Sequence, residues 1–96
     1  MGNWKPIWIA SLEISDSIRE KIQAKHHIDP DELLAHLICN PRVRGRFVYN
    51  LEHGQRYLIY IQVRPGKIFE VHANLVHFDY SAWSLRTARI VAKIPE

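Results

Sequence analysis

Two residues whose types suit acid–base chemistry, Glu70 and His72, stand two apart inside Ile68–Val76, a run that alternates apolar and polar side chains. Period-two alternation predicts a strand buried on one face. Phe69, Val71, Ala73 and Leu75 then form the core side, and Glu70, His72 and Asn74 the other. Side chains two apart on one strand face lie roughly 6 to 7 Å from each other, room for a phosphate between them. Cleaving RNA without a metal needs a base for the 2′-hydroxyl, an acid for the leaving 5′-oxygen and cations for the crowded phosphate. Glu, His and Arg fit those roles. The spacing permits that chemistry without requiring it, because a half-wet sheet face also carries Glu, His and Asn for solubility alone.

Cations and further polar groups come from neighbouring segments. Along Arg56–Arg64 the alternation assigns Tyr57, Ile59, Ile61 and Val63 to the core, and Arg56, Leu58, Tyr60, Gln62 and Arg64 to the outer face. Arg56, Tyr60 and Gln62 thereby join Glu70, His72 and Asn74. Tyr60 is the first candidate to stack a base and Tyr80 the second, with a structural role as the ordinary alternative. Arg86 and Arg89 differ in parity, so only one reaches this face unless a bulge intervenes. Ile14, Ile18 and Ile22 form a helical row that continues to His26. That histidine either ends the helix, where its cationic form suits the C-terminal dipole, or projects toward a substrate.

Charge is distributed unevenly. Residues 1–40 carry more acidic than basic side chains, whereas from Pro41 to Lys67 Arg42, Arg44, Arg46, Arg56, Arg64 and Lys67 face only Glu52. Clustered positive charge is the footprint of nucleic-acid binding and equally of a solvated basic face. On these grounds Arg46, Arg56, Tyr60, Arg64 and Arg86 are the candidate RNA-binding residues. The six histidines show no HExxH or HxH spacing and the single Cys39 excludes a CxxC site, so neither a metal nor a cofactor is expected. Cys39, within Leu37-Ile38-Cys39, reads as a small buried hydrophobe.

The elements that must position these groups follow in order. Trp4–Ile9 favours a short strand that Pro6 confines to an edge. A helix follows Ser15-Asp16-Ser17, where Ser17 and Glu20 have capping-box spacing and Ser15 or Asp16 is an alternative cap. Asp29-Pro30-Asp31-Glu32 starts a second helix, with Asp29 as cap, Pro30 at the first helical position and Glu32 completing the box, and it runs to about Cys39 before Asn40-Pro41. Strands are then expected at Arg46–Tyr49, Arg56–Val63, Ile68–Val76 and Trp83–Ala92, joined by a hairpin loop at Asn50–Gly54 and a tight turn at Arg64-Pro65-Gly66-Lys67. The predicted fold is α+β: two N-terminal helices packed on one face of a four-stranded antiparallel sheet, with the N-terminal edge strand as an optional addition.

At 96 residues, 47% hydrophobic and 24% charged, the chain suits one domain over residues 1–96 rather than a disordered or collagen-like polymer. No apolar run approaches the roughly 20 residues of a transmembrane helix, and no leader pattern opens the chain. A soluble, cytoplasmic protein with no membrane association is expected.

Lys25-His26 followed by Ile28 and Asp31-Glu32, then Gly54-Gln55-Arg56 opening a strand, and Thr87-Ala88-Arg89 in the last strand resemble the BrnT-like branch of the RelE/ParE superfamily of toxins from bacterial toxin–antitoxin pairs. The resemblance spans about residues 14–92. It implies a small RelE/BrnT-like α+β fold, endoribonuclease activity and neutralisation by a cognate antitoxin, and residue by residue it highlights His26, Arg56 and Arg89. The expected function is therefore a metal-independent endoribonuclease. Arg56 and Arg89 would hold the phosphate, His72 or His26 would serve as acid or base, and Glu70 would act as base or orient His72. The alternative is a non-catalytic module of the same fold that binds RNA or protein, including one whose outer sheet face docks an antitoxin helix.

Overall fold

The structure, a computed structural model, describes residues 4–50 and 54–94. Its elements run β1 (Lys5–Pro6), β2 (Ser11–Glu13), α1 (Asp16–His26), α2 (Pro30–Leu37), β3 (Arg44–Asn50), β4 (Gly54–Arg64), β5 (Lys67–His77) and β6 (Ala82–Val91). The four-stranded antiparallel sheet expected from the sequence is corrected to a six-stranded mixed sheet, ordered β1-β3-β4-β5-β6-β2. The meander β3–β6 is antiparallel as expected, but β2 pairs in parallel with β6 at one edge and β1 pairs antiparallel with β3 at the other. The hairpin loop expected at Asn50–Gly54 has residues 51–53 outside the described residues.

One short segment therefore serves both edges. In a flat sheet β1 and β2 would stand about 24 Å apart, five strand spacings. The chain from Pro6 to Ser11 reaches at most about 18 Å even when fully extended. The sheet must curl, and the intervening residues are fastened within the curl. The Ile7 amide donates to the Val43 carbonyl (3.1 Å), the Cys39 amide to Ile9 (2.8 Å) and the Ala10 amide to Ser81 (2.9 Å), while the Trp83 indole donates to the Trp8 carbonyl (3.0 Å). Bulges in the β4–β5 and β5–β6 ladders add local twist in the same sense.

The core fills this curl. Ile59 and Ile61 of β4, Phe69, Val71 and Ala73 of β5, and Trp83, Leu85 and Ala88 of β6 pack with Ile9, Leu12, Ile22, Ile28, Leu33, Leu37 and Val43. The expected core face of β5 is present, with Leu75 partly buried. Along one transverse row, Lys5, Gly45, Ile59, Val71 and Ala88 sit opposite one another. Among the described glycines, Gly45 of this row is the one that the N-terminal segment approaches most closely. A Cβ on Gly45 would lie 2.8 Å from the Leu58 carbonyl oxygen and 3.0 Å from Ile7 Cγ1.

Both helices begin where local chemistry directs. Ser15, one of the candidate caps, accepts from the Ile18 amide at 3.3 Å, and Asp29 accepts from the Asp31 amide at 3.0 Å with Pro30 in the first turn. The row Ile14, Ile18 and Ile22 faces the core, and α1 packs along β6. His27 ends α1 in the left-handed region, and its amide and that of Ile28 both reach the Ile22 carbonyl. Glu32 is engaged across the fold, where it accepts from Lys67 Nζ at 3.1 Å. Helix α2 stops at Leu37 because Ile38 turns extended and the Asn40 amide bonds back to the His36 carbonyl at 2.6 Å. Cys39 is thereby left outside the helix with a positive φ of 51°, and it is exposed rather than buried as its apolar sequence context suggested. Among the described residues no helix is long and apolar enough to cross a membrane.

Replacing Gly45 with Ala should force apart β3, β4 and the crossing segment. The expected cost is about 1–3 kcal/mol, the range for overpacking a tight interior, read as a lower urea midpoint with an unchanged slope. A variant with the wild-type midpoint would show that the crossing is looser than the close approach at Gly45 implies.

Candidate active site

The outer face of β4–β6 and the end of α1 enclose a cleft of about 570 Å³. Strand register sets its layout. Tyr60, Glu70 and Arg89 form one row across β4, β5 and β6, and Leu58, His72 and Thr87 form the next. Arg56 enters two residues before Leu58 on β4, and Lys21 and His26 enter from α1. The parity conflict between Arg86 and Arg89 is resolved by a bulge. His72 faces Thr87 but Ala73 faces Leu85, so Arg86 is an extra residue in β6, and both arginines line the cleft while Leu85 and Ala88 keep the core side.

Glu70 is the pivot. Although only 6% exposed, it is satisfied on both oxygens: Arg89 Nε donates to Oε1 at 2.5 Å and the Tyr60 hydroxyl donates to Oε2 at 2.7 Å. Burial is the largest single influence and works to raise its pKa, but the hydrogen bonds from Arg89 and Tyr60 and the charges of Arg89 and His72 together hold it below the ordinary carboxyl value. The same contacts raise the pKa values of both partners, for Tyr60 by burial first and then by its bond to Glu70, for Arg89 by its bond to Glu70 first. A carboxylate so engaged is a weak proton acceptor and a firm positioning group.

His72 Nε2 lies 3.6 Å from Glu70 Oε1, and its Nδ1 has no hydrogen-bond partner among the described residues. Burial and then the neighbouring Arg56 charge lower its pKa, more than Glu70 raises it. His26 is also lowered, by burial first and then by Lys21, Lys25, Arg89 and His27. His27 rather than His26 takes the capping position. Both imidazoles are therefore neutral at pH 7 in the free protein.

Of the residues singled out from the sequence, His26, Arg56, Glu70, His72, Arg86 and Arg89 converge on this cleft. Three candidates for RNA binding do not. Tyr60 is 2% exposed, with Trp4 packed edge-on at 5.1 Å, so its ring is closed to a nucleobase and its hydroxyl serves Glu70. The Arg46 guanidinium lies over the Trp4 ring, 4.6 Å from its centre. Arg64 lines a separate cleft at the far end of β4. Tyr80 is exposed in the turn before β6 and does not line the cleft. Asn74 stands behind Arg86: with its amide oriented to satisfy both neighbours, it accepts from Arg86 Nη1 and donates to the Gln55 carbonyl, each at 3.2 Å.

Leu58, Lys21 and Thr87 complete the lining; none was a candidate site residue from the sequence, although the alternation put Leu58 on the outer face. Thr87 shares outer-face parity with Arg89 and was legible on that ground. Lys21 lies off the isoleucine row, and nothing in the sequence ties it to β6. Among the described residues no group of three or more His, Cys, Asp or Glu side chains is placed to share a metal ion.

Tyr60→Phe removes one of the two hydrogen bonds that offset burial of the Glu70 charge, at an expected cost of about 1.5–3 kcal/mol at pH 7. Because the folded pKa of Glu70 lies below its unfolded value, its charged contacts stabilise the fold above the unfolded carboxyl pKa, and that contribution fades as pH falls through the folded pKa. The Tyr60→Phe penalty should accordingly be larger at pH 7 than at pH 3 in urea unfolding, and a penalty independent of pH would separate Tyr60 from the charge on Glu70.

Comparison of the chain with protein families, with curated proteins and with solved structures returns no match.

Proposed function

We propose that the protein is an RNA-cleaving enzyme that uses the outer-face cleft to transfer a phosphodiester to the neighbouring 2′-oxygen without a metal. The observation that carries this reading is convergence: two imidazoles and three arginines line one cleft around a single buried carboxylate. Spread over the surface, the same residues would merely solvate it.

In this reading Arg56, Arg86 and Arg89 hold the phosphodiester and stabilise charge that builds on its non-bridging oxygens. The two imidazoles divide the proton transfers. One takes the proton of the 2′-hydroxyl as its oxygen attacks phosphorus, and the other gives a proton to the 5′-oxygen as the P–O5′ bond breaks. The products are a 2′,3′-cyclic phosphate and a 5′-hydroxyl. Burial and then nearby cations lower both histidine pKa values in the free protein, and a bound phosphate anion offsets those cations, which favours protonation of the acid. Glu70 stays ionised beside His72 and orients it. The resemblance of Lys25-His26, Gly54-Gln55-Arg56 and Thr87-Ala88-Arg89 to the BrnT-like toxins supports reading this enzyme as the toxin of a cytoplasmic toxin–antitoxin pair, held inactive by a partner protein.

A second reading, a module that binds RNA without cutting it, is favoured by the full engagement of Glu70 with Arg89 and Tyr60, which is also how a purely structural ion pair is built.

Labelled RNA incubated with the purified protein in EDTA discriminates between them. Cleavage ending in cyclic phosphate is expected, reduced about 10²–10⁴-fold by His72→Ala or His26→Ala and about 10²–10³-fold by Arg56→Ala. Since both histidine pKa values in the free protein lie below the ordinary value of about 6.5, kcat/KM should peak below that pH. An optimum above pH 7 would remove the two histidines from these roles. Retained RNA binding with no cleavage selects the second reading.

A further inference from the structure

We infer that a second cleft farther along β4 binds another phosphate of the same strand, so that the ligand is a single-stranded nucleic acid several nucleotides long, entering along β4. The inference deepens the reading above and rests on it for the identity of the first cleft.

The second cleft, about 430 Å³, lies where β3 and β4 meet the tight turn before β5. Arg42, Arg44 and Arg64 line it, all exposed, and among the described residues no carboxylate lines it. It lies beside the end of β4: Arg44 of β3 pairs with Tyr60, and the consecutive residues Tyr60–Arg64, across a register shift between Gln62 and Arg64, line it. Arg44 is held in place, because its Nη1 donates to the Pro41 and Val43 carbonyls at 2.8 and 3.1 Å. The turn is equally defined, with Gly66 at φ 82° closing the Arg64–Lys67 pair.

Tyr60 divides the two clefts. It is among the residues lining the second, while its hydroxyl bonds the Glu70 carboxylate that lines the first. From the Leu58 row to Gln62 is four residues, about 13 Å along the strand. A mononucleotide or dinucleotide in the first cleft leaves the second empty, and a longer strand reaches both. Each cleft has the size of a small-ligand site, which suits one splayed nucleotide and not a duplex. The positive charge is thus arranged as two stations on one line, an arrangement that a repeating polyanion matches and a single small anion does not.

The test is fluorescence anisotropy with 2′-O-methyl oligonucleotides, which bind but cannot be cleaved through the 2′-oxygen. A dinucleotide and an octanucleotide are compared on the wild-type protein and on Arg42→Ala/Arg64→Ala, with Arg42→Glu/Arg64→Glu as a stronger perturbation and circular dichroism to establish folding. Wild type should favour the octanucleotide at least tenfold. The alanine pair should reduce that ratio about tenfold and the glutamate pair abolish it, while the slope of log affinity against log salt falls by about 1.4 for the two lost contacts. An unchanged ratio in a folded glutamate variant overturns the inference. So does displacement of the octanucleotide by polyglutamate of equal charge at equal concentration, which would assign the cleft to an acidic peptide. These measurements do not depend on chemistry: a protein that prefers the octanucleotide through Arg42 and Arg64 but fails to cleave RNA retains the second cleft and loses the enzymatic reading.

Discussion

The fold depends on a length constraint. Nine residues, Lys5–Glu13, supply a strand to each edge of one sheet, and they are too few to do so unless the sheet bends toward itself. That bend decides which face becomes the interior. Once Ile7 and Ile9 occupy the curl, Ile59, Phe69, Val71 and Ala88 have a surface to bury against, and the helices need cover only what remains. The close approach at Gly45 marks a point where the strap and the sheet leave no room for a side chain. The outer face is left with the polar parity of every strand, and the chemistry gathers there by exclusion from the core.

On that face the largest electrostatic demand is made by Glu70. An ionised carboxylate at such low exposure is tolerable only with donors on both oxygens, and it recruits them from the two flanking strands. Tyr60 is withdrawn from the surface to serve it, Trp4 closes over Tyr60, and Arg46 settles on Trp4. A chain of contacts thus runs from the ion pair to the N-terminal segment. The result leaves Arg89 both a structural partner and a cation at the cleft, and it separates the basic residues of the face into two groups.

Much of this was legible in the sequence. Alternation placed Glu70 and His72 on the outer face and Phe69, Val71 and Ala73 inside, because period two leaves no other arrangement for a strand with one dry side. The caps at Ser15 and Asp29 and the turn at Pro65-Gly66 are local devices, and local devices are written in adjacent residues. The parallel pairing of Ser11–Glu13 with β6 was not legible: three residues are too short to show a period, and their partner lies some seventy positions away. Tyr60 misled for a related reason. Parity gave its face correctly, but burial on that face came from Trp4 and Glu70, contacts that parity does not encode. Cys39 looked buried by the company of Leu37 and Ile38, and a helix ending two residues earlier turned it outward.

The bulge at Arg86 has a consequence for how such a site tolerates change. In a regular ladder Arg86 and Arg89 would point to opposite sides, and one of them would have to be accommodated in the apolar interior. The additional backbone residue lets both face the cleft, so its charge density is set by a count of residues in β6 as much as by their identities. Substitutions at the arginines subtract charge one unit at a time. Loss of a single residue between Leu85 and Ala88 would remove the bulge and restore strict alternation, with Leu85 and Ala88 still on the core side and one outward residue where Arg86 and Thr87 now give two.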